Sequence, residues 1–249
     1  MDVYIGLPAY NEEASIKPLF TRIDALQAKM SSKIHIMFYD DGCVDDTKEE
    51  VLGWQTRISI IYLDGLVNKG LGEGMSRLTS EFLGRAKEDD ILVVMDCDDT
   101  HDPDQILTMI KKLEENVQSD IVIASRYRKG ATISGVPFLR VVLSIGAAML
   151  YKAVHPIWGV RDYTCGYRAY RFNSLKRAID KYDSPLCKER GFACMVELLL
   201  KVARAGGKFK EIPLELAYDN KMSASKMDVS GNTSRLLKKL ISWRLKGLQ

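Results

Sequence analysis

No two cysteines in this sequence are spaced as Cys-x-x-Cys. The five present, Cys43, Cys97, Cys165, Cys187 and Cys194, are odd in number and widely separated. That sets aside a zinc ribbon or redox pair and points to free thiols in a reducing compartment. No apolar run approaches the roughly 18 residues that cross a bilayer. The best stretch, 141–151, is short and runs into Lys152. The opening MDVYIGLPAYNEE has no basic leader and no long apolar core, so a signal peptide is not expected. Internal repeats and low-complexity segments are also missing. The net charge is only +3, too small to imply a nucleic-acid partner. Together these absences lead to the expectation of a cytoplasmic chain.

What remains is an ordinary globular balance, 249 residues with 46% hydrophobic and 28% charged. That is enough for one large α/β domain, with or without a short appendage. Charge is unevenly placed: from Asp219 onward seven basic residues face two acidic ones. The sequence is therefore divided into a main domain over 1–218 and a basic loop and amphipathic helix over 219–249. In that helix, read over 232–248, Leu236, Leu237, Leu240, Ile241 and Leu245 form the apolar stripe.

Short apolar runs over 3–7, 34–39, 58–63, 91–95 and 121–124 read as buried strands. Helical periodicity fills the intervals. Asn11 is the expected cap of a first helix through Ile16, Leu19, Phe20, Ile23 and Leu26. Thr47 starts a second; Gly70, Gly72 and Gly74 loosen a loop before a third; Pro103 opens a fourth. Such alternation predicts a mostly parallel sheet covered on both faces. Further on, 192–205 reads as a helix and 212–217 as one strand. The apolar stretch 136–160 reads either as short interfacial helices or as a buried helix.

Ligands of open α/β sheets bind beyond the carboxyl ends of the strands, and the polar clusters fall there. Asp96 and Asp98 follow the strand Val93-Val94-Met95 directly. Two carboxylates one residue apart can share a hard cation such as Mg²⁺ or Mn²⁺ with substrate phosphates. A solvated acidic turn is the other reading. The cluster Tyr39-Asp40-Asp41-Gly42 offers acceptors for a base or ribose, or is an acidic turn with Gly42 left-handed. Pro8-Ala9-Tyr10-Asn11-Glu12 offers an aromatic face and backbone groups at a helix start, or is only that start.

The ordered set LPAYNEE, FYDDGCVDDT, NKGLGEG and VVMDCDDTHDP resembles glycosyltransferase family 2, of the GT-A fold. SRYRKGA, PFLRVVLSIGAAML, VRDYTCGYRAYR and EIPLELAYDNKMSASKM extend the resemblance to its dolichyl- and polyprenyl-phosphate sugar synthase branch, to about Met227. The resemblance implies an inverting, metal-dependent transferase acting from a UDP- or GDP-sugar on a polyprenyl phosphate. It assigns the nucleotide to Pro8, Ala9, Tyr10, Glu12, Asp40, Asp41, Lys69, Asp96 and Cys97. It assigns Mg²⁺ or Mn²⁺ to Asp96 and Asp98, which with Arg126 form the catalytic set. Phosphate groups of the acceptor fall to Arg126, Arg140 and Lys226. A lipid-linked acceptor further implies peripheral contact with a membrane face through 136–160 and the basic tail.

The pattern Asp-Arg-x-x-Gly-x-Ser-Lys of that branch is altered here. Asn220 stands for the arginine and Ser223 for the glycine, with Lys221 as a compensating point charge. A hydroxyl acceptor on a glycan or lipid therefore stays open, and would need a base, Asp162 or Glu197 being the candidates. A non-catalytic nucleotide-binding scaffold is the alternative of another class, against which the intact Asp96/Asp98 pair argues. No Gln-x-x-Arg-Trp motif of a processive synthase is present, and Ile5–Glu13 lacks the glycine-rich loop of a nucleotidyltransferase. His101 is expected to orient the acidic loop rather than to bind metal.

Overall fold

The structure is a computed structural model describing residues 1–135, 138–183, 185–221, 238–245 and 247–248, with 138–143 described by their backbone alone. In the first half, strands β1 (Val3–Ala9), β2 (Ile34–Asp40), β3 (Ser59–Asp64), β4 (Ile91–Val94) and β5 (Ile121–Ser125) alternate with four helices. These are α1 (Glu13–Gln27), α2 (Thr47–Leu52), α3 (Leu71–Arg85) and α4 (Gln105–Glu115). The second half holds β6 (Thr132–Ser134), α5 (Phe138–Val154), β7 (Arg168–Arg171), α6 (Phe172–Tyr182), α7 (Ala193–Arg204), β8 (Phe209–Pro213) and β9 (Glu215–Ala217). Residues 238–245 are helical.

The main sheet runs β3-β2-β1-β4-β7-β5-β8, and β6 pairs with β9 apart from it. Every pair in the main sheet is parallel except those of β7, which is antiparallel to β4 and β5. This is the expected α/β architecture, a mostly parallel sheet with helices on both faces. Its central apolar strand runs are buried, with Val3, Ile5, Leu7, Ile36, Val93 and Ile123 fully so, while the edge strand β3 is half-buried along most of its length. One consequence positions the site. The carboxyl ends of β1, β2, β4, β5 and β8 share one edge with the start of β7, so the loops after Ala9, Asp40, Val94 and Ser125 converge with the loop before Arg168.

Three local expectations change. Asn11 does not cap α1, which starts after Glu12 without a side-chain cap. It takes a left-handed φ of 54° and its amide oxygen accepts from Val44 N, 2.9 Å, tying the first loop to the second. Only Gly70 belongs to the loop before α3; Gly72 and Gly74 lie inside the helix. A methyl group on Gly72 would overlap the Glu189 carbonyl, and one on Gly74 would sit 2.9 Å from the Tyr39 ring. These glycines thus serve close packing, not looseness. The strand read over 212–217 is two strands in two sheets. It breaks at Leu214, whose N–H donates to Ser125 O while its carbonyl accepts from Thr132 N.

Candidate active site

The acidic loop grows directly out of the sheet. Met95 N still donates to Gly6 O, 3.2 Å, after which the chain turns. Asp99 takes a φ of 59°, a left-handed conformation that aspartate tolerates better than most residues. The four neighbouring acids are then sorted by their partners. Arg22, from α1, donates to Asp99 Oδ1 (2.8 Å) and Asp102 Oδ1 (2.9 Å). The Thr100 hydroxyl donates to Asp98 Oδ1, 2.7 Å, and the Lys221 ammonium pairs with Asp98 Oδ2. Asp96 N donates to His101 Nδ1, 3.2 Å, and the His101 ring stacks on Tyr167 at 4.8 Å. His101 therefore holds the backbone of the loop. Asp96 and Asp98 are the two acids not engaged by Arg22. The clamp by Arg22 escaped sequence reasoning, because a basic residue on an amphipathic helix carries no signal of its target.

Electrostatics separate the pair. Burial pushes the Asp96 carboxyl above the usual carboxylate range; His101 opposes the rise and the neighbouring Asp98 charge adds to it. Burial acts on Asp98 in the same direction, but Lys221 and the Thr100 hydroxyl overcome it and hold that carboxyl below the usual range. Lys221 compensates one of these like charges, and a divalent cation would compensate both. The donor set is all oxygen, which suits Mg²⁺ or Mn²⁺. Among the described residues no group of three or more His, Cys, Asp or Glu side chains could hold a metal. Asp96 and Asp98 could supply two of the oxygen ligands of an ion, the others being left to substrate phosphates and water.

On the other side of β1, both acids expected to face a nucleotide organise loops. Asp40 accepts from Cys43 N (2.6 Å) and from the Tyr62 hydroxyl. Asp41 accepts from Lys69 N and Gly70 N, each at 2.8 Å, and so fixes the start of α3. Burial raises the Asp41 carboxyl despite these two donors. Every carboxylate oxygen has a second lone pair, so neither acid is exhausted as an acceptor. Gly42 has the expected left-handed conformation, φ 76°, and a Cβ there would sit 2.6 Å from the Val67 backbone. Ala9 and Cys97 are buried, Pro8 and Tyr10 half-buried, and Lys69 exposed. Glu12 is buried, its N–H donating to Thr47 Oγ1 at 2.9 Å.

Arg126 follows β5. Its Nε and Nη2 form a fork on Asp162, 2.8 and 2.6 Å, and Nη2 also reaches Thr164 Oγ1, 2.6 Å. Asp162 has no exposed surface and accepts three further N–H groups, from Arg126, Thr164 and Cys165. Burial alone would raise its carboxyl; the guanidinium and these bonds win and hold it below the usual range. The loop so ordered touches the acidic loop, since a Cβ on Gly166 would lie 3.5 Å from Asp96 Oδ1. The Arg126 side chain stays 22% exposed, although its Nε and Nη2 are engaged by Asp162 and Thr164.

Both candidate bases are thereby accounted for differently. Asp162 is locked to Arg126. Glu197, on α7, pairs with Lys201 Nζ at 2.8 Å and accepts from Lys188 N and Glu189 N, which pins the loop pressing on Gly72. Arg140 lies in α5, its side chain outside the described residues, and Lys226 and Ser223 lie outside them altogether. Asn220 does not replace an arginine fork. Its Nδ2 donates to Asp99 O, 3.4 Å, fastening the 218–221 turn to the acidic loop.

The matching family model is glycosyl transferase family 2, over residues 4–178. The chain is 26% identical over 245 residues to the polyprenol monophosphomannose synthase of Mycolicibacterium smegmatis, covering 97% of this chain and 86% of that enzyme. It is 30% identical over 214 residues to the dolichol-phosphate mannosyltransferase of Pyrococcus furiosus, covering 85% of this chain and 54% of that one. Glucosyl-3-phosphoglycerate synthase from Mycobacterium tuberculosis, solved with Mn²⁺, UDP and glucosyl-3-phosphoglycerate, superposes with a TM-score of 0.68. Its identity is 20%, and the match covers 98% of this chain and 80% of that one. At that identity the likeness concerns the fold alone, here the GT-A fold. On its family match, its relatives and its fold, the chain belongs to glycosyl transferase family 2 and is a glycosyltransferase similar in sequence to enzymes named for making polyprenyl-phosphate sugars.

Proposed function

We propose that the protein moves a sugar from a UDP- or GDP-sugar to the phosphate of a polyprenyl carrier, with inversion, at the carboxyl edge of its sheet. The observation that supports this reading is the meeting of two loops. The Asp96–Asp98 pair, suited to a metal and a diphosphate, touches the loop that holds the partly exposed Arg126 side chain. Pro8, Ala9, Tyr10, Glu12, Asp40, Asp41, Lys69 and Cys97 would surround the nucleotide, and Arg140 and Lys226 would extend the acceptor side. When bound, Mg²⁺ or Mn²⁺ would neutralise charge growing on the departing nucleoside diphosphate.

The residues do the rest by placement. An acceptor phosphate oxygen forms a bond to the anomeric carbon on one face as the bond to the diphosphate breaks on the other. Arg126 would orient the acceptor through the part of its side chain that stays exposed. A phosphate is already ionised near neutral pH, so no base has to take a proton. The commitment of Asp162 to Arg126 and of Glu197 to Lys201 favours this acceptor over a hydroxyl.

Membrane contact belongs to the same proposal. No helix among the described residues is long and apolar enough to cross a membrane. On α5, Ala148 and Tyr151 face the core while Ile145, Met149 and Leu150 face outward; Trp158 beyond it is 97% exposed. In the 238–245 helix Leu240 and Trp243 are buried whereas Ile241 and Leu245 are exposed. An apolar fringe of this kind fits peripheral attachment of a cytoplasmic enzyme, with 219–249 as a basic segment appended to a catalytic domain over 1–218. The test is transfer from a panel of UDP- and GDP-sugars to a short polyprenyl phosphate, with and without a chelator. One donor should give a lipid-linked product that disappears on chelation. Donor hydrolysis with no lipid product would overturn the acceptor assignment, and undiminished transfer under chelation would overturn the metal.

A further inference from the structure

Asp98 already carries a cation, and it belongs to the chain. The Lys221 ammonium pairs with Asp98 Oδ2 where both side chains are largely buried, 14% and 12% exposed. The other oxygen of Asp98 is held by the Thr100 hydroxyl. Charges of Glu12 and Asp96 also act on the ammonium. This placement follows from a short strap. His101 and Leu216 form a β-bridge, Ala217 N donates to Thr100 O (3.0 Å), and Asn220 Nδ2 donates to Asp99 O (3.4 Å). These contacts deliver residue 221 to the mouth of the carboxylate pair.

Resting on the metal-site reading above, we propose that Lys221 is a built-in counter-ion, holding the metal's position on Asp98 until metal and donor displace it. An ammonium brings one positive charge and three donors. It compensates one carboxylate but cannot bridge carboxylates to a diphosphate as a divalent ion does. The free protein is therefore spared an uncompensated acidic pair, and the metal must break the Lys221–Asp98 pair to bind. Linkage makes the effect reciprocal: whatever Lys221 costs the metal in affinity, the metal costs the strap in attachment. Donor arrival thus releases the lysine and loosens the 215–221 strap beside the acceptor side of the site.

The experiment is Mn²⁺ binding by electron paramagnetic resonance, with no sugar donor, to wild type, Lys221→Ala and Lys221→Arg, each alone and with saturating UDP or GDP. Lys221→Ala should bind Mn²⁺ at least about fivefold more tightly than wild type, within the usual span of coupling between sites. Lys221→Arg, which keeps the charge, should stay near wild type. Should the alanine variant fail to fold, Lys221→Met, which keeps much of the packed stem, supports the same comparison. Equal affinity of wild type and the neutral variants would overturn the counter-ion role while leaving the metal site standing. Absence of Mn²⁺ binding in every protein, even with nucleotide, would instead remove the metal site on which the inference rests.

Discussion

Replacing Asp98 with alanine is expected to lower sugar transfer by about a thousandfold, roughly 4 kcal/mol of lost transition-state stabilisation. The fold should lose much less than activity, because the Lys221 ammonium left behind keeps the charges of Glu12 and Asp96. Asp98 sits at the rim of the sheet with Thr100 and Lys221 as partners, and the loop backbone is held independently by His101 and Arg22. Steady-state kinetics together with a thermal melt separate the two effects. A thousandfold fall in kcat with a melting temperature little changed places Asp98 in the chemistry. A comparable fall in both would reduce it to a structural acid. Thr100→Val, which removes the hydroxyl donor to Asp98 Oδ1 and keeps the backbone N–H that also reaches it, should cost about tenfold, one hydrogen bond to a charged group being worth roughly 1.5 kcal/mol.

The second large effect falls on stability. Asp162→Ala leaves the Arg126 guanidinium without its fork partner and three backbone N–H groups without an acceptor. Breaking a buried pair from one side costs about 3–5 kcal/mol, which urea unfolding would register as a lower midpoint. Replacing both partners, Arg126→Met with Asp162→Leu, removes the stranded guanidinium but still leaves the three N–H groups without an acceptor, so it should recover only part of that stability and leave transfer crippled, because the proposed anion site is gone. The pair also fixes a pH dependence. The folded Asp162 carboxyl titrates below its unfolded counterpart. Its stabilisation is thus complete above the unfolded value, about pH 4, and is lost as pH falls through the lower folded value. Between pH 5 and 8 this pair contributes no slope, and the difference between wild type and the double replacement should stay flat there.

Much of the first half was legible because central parallel strands are short, uninterrupted apolar runs. Read as 3–7, 34–39, 58–63, 91–95 and 121–124, they appear as Val3–Ala9, Ile34–Asp40, Ser59–Asp64, Ile91–Val94 and Ile121–Ser125. The signal failed where burial is polar. Strand β7 is Arg-Ala-Tyr-Arg, and its Arg168, fully buried, donates to Met195 O and Tyr163 O at 2.8 Å each. A buried arginine whose Nη atoms reach the carbonyls of Tyr163 and Met195 looks like surface until the chain is folded. The following helix, Phe172–Tyr182, went unread with it. Residues 212–217 look like one strand because alternation is blind to which sheet a residue joins.

The site divides in the same way. The acidic loop and the Gly42 turn were readable from spacing beside strand ends, and the place of His101 from the family resemblance. Their partners were not. Arg22 with Asp99, Asp162 with Arg126, Asn220 with Asp99 and Lys221 with Asp98 join residues 36 to 123 positions apart. One-dimensional patterning holds no record of such pairs, so Asp162 and Glu197 looked available as bases when each was already bound to a cation.

The most direct test offers the enzyme, with its preferred donor, a polyprenyl phosphate and the matching polyprenol in parallel and characterises the linkage formed. Exclusive transfer to the phosphate, giving an acid-labile glycosyl phosphate that Asp98→Ala does not produce, is the predicted result. Transfer to the polyprenol hydroxyl, with the phosphate left untouched, would contradict it.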